Sequence, residues 1–145
     1  MSGEIIIIVA GSRDFNDYEL LKREVLNIDK YDNRPKEYVK IISCCARGAD
    51  SLGERFAKEF GLEIKRFPDD WDGLGKRAGY VRNAEMAKFA VEDYSDGMLI
   101  TFWDGQSKGT KHMIDLANKY HLEVHIITYK KKLITKREET YGIYN

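Results

Sequence analysis

Five consecutive β-branched residues, Ile5-Ile6-Ile7-Ile8-Val9, stand almost at the start of the chain. A strand with one wet face alternates apolar and polar residues. A run that is apolar at every position instead suits a strand buried on both faces, as in a parallel sheet covered by helices. The run therefore predicts a central strand and demands helices on both of its sides. Gly11-Ser12 ends it.

The rest of the chain supplies those helices in alternation with further strands. Asn16 or Asp17 is placed to cap a helix whose apolar residues Tyr18, Leu21, Val25 and Ile28 recur at helical spacing, before the polar stretch 32–36. A second strand is expected at Tyr38 to Ser43. The next helix carries Leu52, Phe56, Ala57 and Phe60 on one face, and Gly61 suits the left-handed residue that stops it. Leu62 to Phe67 reads as a third strand and Asp69 to Gly79 as a long loop, of a length that in compact domains tends to be functional. Val81 to Val91 predicts a helix, Met98 to Trp103 a fourth strand, Thr110 to Tyr120 a helix and Glu123 to Thr128 a fifth strand. Four successive strand–helix alternations point to an α/β fold with a five-stranded parallel sheet and helices on both faces.

Length and charge bound the rest. The chain has 145 residues, enough for one core, and residues 1–129 read as one domain with a tail at 130–145 that docks or stays flexible. Lys plus Arg number 24 against 24 Asp plus Glu, so a broadly basic nucleic-acid surface is not expected. Ile5 to Ala10 is too short to cross a bilayer and no basic segment precedes it, so a cytoplasmic protein without a membrane partner is expected. Cys44 and Cys45 are adjacent, a spacing that suits neither a disulfide nor half of a zinc site, and His112, His121 and His125 lack ligand spacing. No metal and no cofactor are expected.

In an open parallel sheet, ligands bind beyond the carboxyl ends of the strands. The residues there are Gly11-Ser12-Arg13-Asp14-Phe15, Ala46-Arg47-Gly48-Ala49-Asp50, Pro68-Asp69-Asp70-Trp71-Asp72 and Asp104-Gly105-Gln106-Ser107-Lys108-Gly109-Thr110. Glycine admits close approach to the backbone, and a loop opening into a helix aims free N–H groups and the helix dipole at an anion. Gly109-Thr110 is the best-placed pair for a phosphate. Arg13, Arg47 and Arg82 offer planar forks, while Lys76 and Lys108 act as point charges. Taken loop by loop, plain turn chemistry is the commoner reason for the same glycines and aspartates, and no complete P-loop or GxGxxG pattern is present. Arg47 with Asp50 also reads as a local ion pair, and Trp71 and Trp103 as packing residues within reach of a base.

Taken together, Val9-Ala10-Gly11-Ser12-Arg13-Asp14-Phe15, Ala46-Arg47-Gly48-Ala49-Asp50, Phe67-Pro68-Asp69-Asp70-Trp71, the stretch from Gly75 to Met86, and Phe102-Trp103-Asp104-Gly105 with Gly109-Thr110-Lys111-His112-Met113-Ile114 resemble the YspA/YpsA-related branch of the SLOG superfamily. The resemblance spans residues 4–128. It implies a three-layer Rossmann-like fold of strand order 3-2-1-4-5, a nucleotide or nucleotide-derived ligand at the strand ends, and a phage or mobile-element setting. LOG relatives hydrolyse the N-glycosidic bond of nucleoside 5′-monophosphates and form dimers, which implies possible self-association here. Their arginine falls on Arg82 and their Gly-Thr on Gly109-Thr110. Their glutamate falls on Met113, which cannot orient water or stabilise an oxocarbenium-like charge. Cys44-Cys45 stands where relatives carry glycines.

Two functions follow. The first is a sensor or sponge that binds a nucleotide-derived molecule through Gly11, Ser12, Arg13, Arg47, Asp50, Arg82, Asn83, Gly105, Gly109 and Thr110, with Trp71 and Trp103 near the base. The second is a LOG-like nucleotide N-glycosidase or other nucleotide hydrolase using Arg82 and Asp104, with Asp115, Glu85 or Asp50 as other stand-ins for the glutamate. DNA binding, as in the DprA relatives, fits the neutral charge least. The loops set Arg13, Arg47, Lys76, Arg77, Arg82 and Lys108 against Asp14, Asp50, Asp69, Asp70, Asp72 and Asp104, a balance that suits a small mixed-polarity ligand.

Overall fold

A computed structural model describes residues 3–28, 35–44, 48–68 and 77–129. The elements run β1 (Ile5–Gly11), α1 (Tyr18–Leu26), β2 (Val39–Ser43), α2 (Ala49–Phe60), β3 (Glu63–Arg66), α3 (Ala78–Ala90), β4 (Asp96–Trp103), α4 (Lys108–Lys119) and β5 (Glu123–Thr128). All strand pairings are parallel, in the order β3-β2-β1-β4-β5. This is the Rossmann-like α/β fold that the sequence predicts.

The β1 run divides cleanly between two cores. Ile5, Ile7 and Val9 join Leu21 and Val25 of α1 and Phe56 and Ala57 of α2. Ile6, Ile8 and Ala10 join Met86 and Ala87 of α3 and Met113 and Ile114 of α4 on the other face. Successive side chains of a strand point to opposite faces, so a strand flanked by two helix layers must be apolar throughout. Residues 5–9 are each at most 2% exposed. Burying one such aliphatic side chain stabilises by about 1.5 to 3 kcal/mol, so this strand anchors both layers.

The helix ends follow from capping chemistry. The Asp17 carboxylate accepts the Leu20 N–H at 3.1 Å, and Gly61 adopts φ 68°, the left-handed conformation expected of it. Two helices begin earlier than their apolar periodicity predicts. Helix α3 starts at Ala78 rather than Val81, because buried Ala78 packs inward, and α4 starts at Lys108 because Ser107 caps it. The long loop accordingly gives up Ala78 and Gly79 to α3; residues 69–76, with Trp71, lie outside the described residues, as do Arg47 and the tail 130–145.

Connections from β1 lead to β2 and β3 on one side, and the chain then crosses to β4 and β5 on the other. The order reverses between β1 and β4, where the strand ends and the helix N-termini frame a crevice. No helix among the described residues is long and apolar enough to cross a membrane.

Candidate functional site

The crevice is tied together across the β1–β4 seam. The Ser12 N–H donates to the Phe102 carbonyl at 3.1 Å, and the Ser12 hydroxyl accepts the Asp104 N–H at 3.2 Å. Ser12 is only 3% exposed. Gly11 is needed for the same seam, since a Cβ there would stand 2.4 Å from the Phe102 carbonyl oxygen. At Gly48, with φ 80°, a Cβ would meet the Ser12 carbonyl oxygen at 2.4 Å. Protein backbone thus fills the space that glycine opens over the first two loops.

Asp50, in the first turn of α2, is likewise turned inward. It is 3% exposed and accepts the Cys44 thiol, so thiol and carboxylate satisfy one another where β2 meets α2. Arg13 points the other way: it is exposed and makes no ion pair among the described residues.

The fourth loop is organised by one carboxylate. Asp104 Oδ1 accepts the N–H groups of Gln106 and Ser107, both at 2.9 Å, and the Trp103 indole N–H donates to the Ser107 carbonyl at 3.1 Å. Gly105 takes φ 82° to make the turn. Trp103 therefore buttresses the loop. Ser107 caps α4 by accepting from the Thr110 N–H (3.4 Å) and the Thr110 hydroxyl (3.1 Å). The Lys108 and Gly109 N–H groups bond to nothing among the described residues, and the space where a Gly109 side chain would project is open.

Beside this N-terminus stands α3. Asn83, 4% exposed, reaches the Gly109 carbonyl from Nδ2 at 3.4 Å and the His112 Nδ1 at 3.1 Å, and its Oδ1 accepts from Arg82 Nη2 at 3.3 Å. The guanidinium lies over Gly79, whose added Cβ would be 3.9 Å from Nη2. Tyr80 meets the His112 ring edge-on, with centroids 4.6 Å apart and planes at 87°. Burial holds the His112 pKa below the usual imidazole range, with the Asp115 charge pulling the other way. Asn83 thus links Arg82 to Gly109, next to Thr110 in the first turn of α4. Tyr80 and His112, neither of them among the expected ligand residues, join them.

Met113 is 1% exposed and packs with Met86 and Leu99 in the apolar core. Of the carboxylates considered as stand-ins, Asp115 is exposed and paired with Lys111 at 2.7 Å, Glu85 is exposed, Asp50 is committed to Cys44, and Asp104 holds its own loop. A groove of about 460 Å³ lies elsewhere, at the amino-terminal edge of the sheet, lined by Glu4, Lys36, Glu37, Tyr38, Lys40, Gly61 and Glu63. Its Lys40 is paired with Glu4 at 3.1 Å and Glu63 at 3.3 Å, and with Glu4, Glu37 and Glu63 set against Lys36 and Lys40 the lining is net acidic, which disfavours an anionic ligand there.

Fold and crevice define a doubly wound, Rossmann-like α/β protein with arginines and a helix N-terminus gathered at the point where strand order reverses. Residues 5–73 match the model of the YAcAr family, described as YspA, cpYpsA-related SLOG family. The gene 61 protein of Mycobacterium phage D29 is 28% identical over 123 residues, covering 81% of this chain and 92% of the phage protein. No solved structure matches the chain. The family match carries the first three strand-end loops; Arg82, Asn83, Gly109 and Thr110 lie beyond it.

Proposed function

We propose that this protein binds a nucleotide-derived small molecule between the N-termini of α3 and α4, acting as a sensor or sponge. The observation that carries the proposal is the pairing of Arg82 with the open N-terminus of α4. An anion there meets the N–H groups of Lys108 and Gly109, the helix dipole and a guanidinium fork. Arg13 and Lys108, both exposed, add charge at the rim. In this reading Gly11, Ser12, Asp50 and Asn83 shape the site, and Arg13, Arg82, Gly109 and Thr110 face the ligand. The match to a SLOG family model favours a nucleotide, and the phage relative favours a mobile-element setting. Binding without hydrolysis is preferred to the LOG-like reaction because the glutamate position is Met113, sealed in the core. Isothermal titration and thermal shift with mononucleotides, ADP-ribose derivatives and cyclic oligonucleotides test the proposal. At least one class should bind, and Arg82→Ala should remove that binding. Silence from the whole panel overturns it, and release of free base that Arg82→Ala abolishes would favour the hydrolase.

A further inference from the structure

The polar contacts under Arg82 have directions that can be assigned from end to end. A guanidinium only donates, so Asn83 Oδ1 must be the atom facing Arg82 Nη2 at 3.3 Å. A carbonyl only accepts, so Asn83 Nδ2 must face the Gly109 oxygen at 3.4 Å. Both neighbours orient the amide the same way, and Nδ2 is also the atom 3.1 Å from His112 Nδ1. That nitrogen consequently accepts, and the imidazole proton sits on Nε2.

We infer that His112, as its neutral Nε2–H tautomer, is a positioning residue that holds Arg82 in the crevice through Asn83 and releases it on protonation. A proton on Nδ1 would set donor against donor. Turning the amide over relieves that clash but presents its NH2 to Arg82 and its oxygen to the Gly109 carbonyl, so both other contacts fail. The surroundings favour the neutral ring. Tyr80 faces it from α3, Arg82 stands one contact away beyond Asn83, and Asp115 on α4 is the acidic group whose charge reaches it. The core cluster beneath is apolar, with Ile6, Ile8 and Leu99 from the sheet. Burial outweighs the pull of Asp115 and disfavours the imidazolium.

The geometric part stands without a ligand; its consequence for binding rests on the proposed function. Long-range ¹H–¹⁵N spectra of the full chain, with His112 assigned from its loss in His112→Asn, should show the Nε2–H tautomer and a midpoint below the usual range near 6.5. Asn83→Asp replaces the donor with a carboxylate and should raise that midpoint by about one pH unit. Should Asn83→Asp fail to fold, Asn83→Ala, which removes the donor that stabilises the neutral ring, should raise the midpoint toward 6.5. An Nδ1–H or mixed tautomer, or a midpoint indifferent to Asn83, overturns the inference. In the ligand arm the probe is ADP-ribose, whose pyrophosphate does not titrate between pH 5 and 8. Its affinity should fall by about tenfold from pH 8 to pH 5, equivalent to about 1.4 kcal/mol. His112→Asn, which keeps an acceptor that cannot titrate, should remove that pH dependence. An unchanged pH profile in His112→Asn overturns the positioning role. Absence of ADP-ribose binding at every pH counts against the nucleotide reading alone, and the spectra still decide the role of His112.

Discussion

Gly11 and Gly48 on one half of the sheet's upper rim are hemmed in by backbone, whereas Gly105 and Gly109 on the other half face open space. The four residues are the same type, all between a strand end and the first turn of the following helix. What differs is the partner: on the first half the Phe102 and Ser12 carbonyls come to within 2.4 Å of where a side chain would begin. Glycine there lets the protein close on itself. On the second half nothing approaches, and the N-terminus of α4 is presented to a ligand. A glycine states that something comes close without saying what, so only the fold separates the sealed half from the receptive one.

The comparison can be broken most severely on the sealed half. Gly11→Ala and Gly48→Ala each force a methyl group into a backbone carbonyl, and at Gly48 also into an unfavourable φ. Each should cost about 3 kcal/mol, a large part of a typical domain's 5 to 15 kcal/mol. Urea unfolding followed by circular dichroism measures the loss. A midpoint within experimental error of the wild type would mean that this half is not closed by backbone packing.

Next in size is the loop that carries the open half. Asp104 caps two N–H groups, and Asp104→Ala should destabilise by about 1 to 2 kcal/mol. Asp104→Asn, which keeps an acceptor oxygen, should restore most of it in the same assay. Equal losses in the two variants would point to the charge rather than the cap.

Gly109→Asp separates stability from binding. An acidic side chain in the first turn of a helix favours the dipole by about 0.3 to 1 kcal/mol, so folding should hold or improve. The same charge should repel an anion at the Lys108 and Gly109 N–H groups, and nucleotide affinity by isothermal titration should drop by about tenfold or more. Undiminished affinity in Gly109→Asp would move the ligand away from α4.

The contrast also shows what local sequence pattern can carry. The Ile5 to Val9 run dictated a doubly covered strand because strand geometry leaves no other home for it, and both cores confirm this residue by residue. Strand order came from the motif resemblance, since periodicity within one strand says nothing about its neighbours. Arg82-Asn83 and Gly109-Thr110 were legible as motifs. The start of α4 was misplaced by two residues because apolar spacing was followed, whereas Ser107, three places before Thr110, held the N-cap signal. Tyr80 and His112 were missed for a different reason. Their contact joins two helices across a long stretch of chain, and neither residue has a spacing that betrays the other.

The smallest effect concerns the stitch between the edge strand and the sealed half. Tyr129, just beyond β5, donates to Asp14 Oδ1 at 2.6 Å and meets Phe15 edge-on, while Phe15 stacks on Phe102 at 4.5 Å. Burial first, and then the hydrogen bond to Asp14, push the Tyr129 pKa up to about 12, against the opposing contact with Ser12. The native state therefore keeps this proton where the unfolded chain, near 10, loses it. Stability from the stitch is complete below pH 10 and is lost as pH rises through 12. Tyr18, raised to about 12 by burial and by Glu59 between α1 and α2, adds to the same alkaline loss. Tyr129→Phe should cost about 1 kcal/mol at pH 8. It should also make the decline between pH 10 and 12 shallower, leaving the share due to Tyr18. Urea midpoints at pH 8 and pH 11 read both effects. A decline as steep as that of the wild type would transfer the alkaline sensitivity to Tyr18 and leave Tyr129 as packing alone.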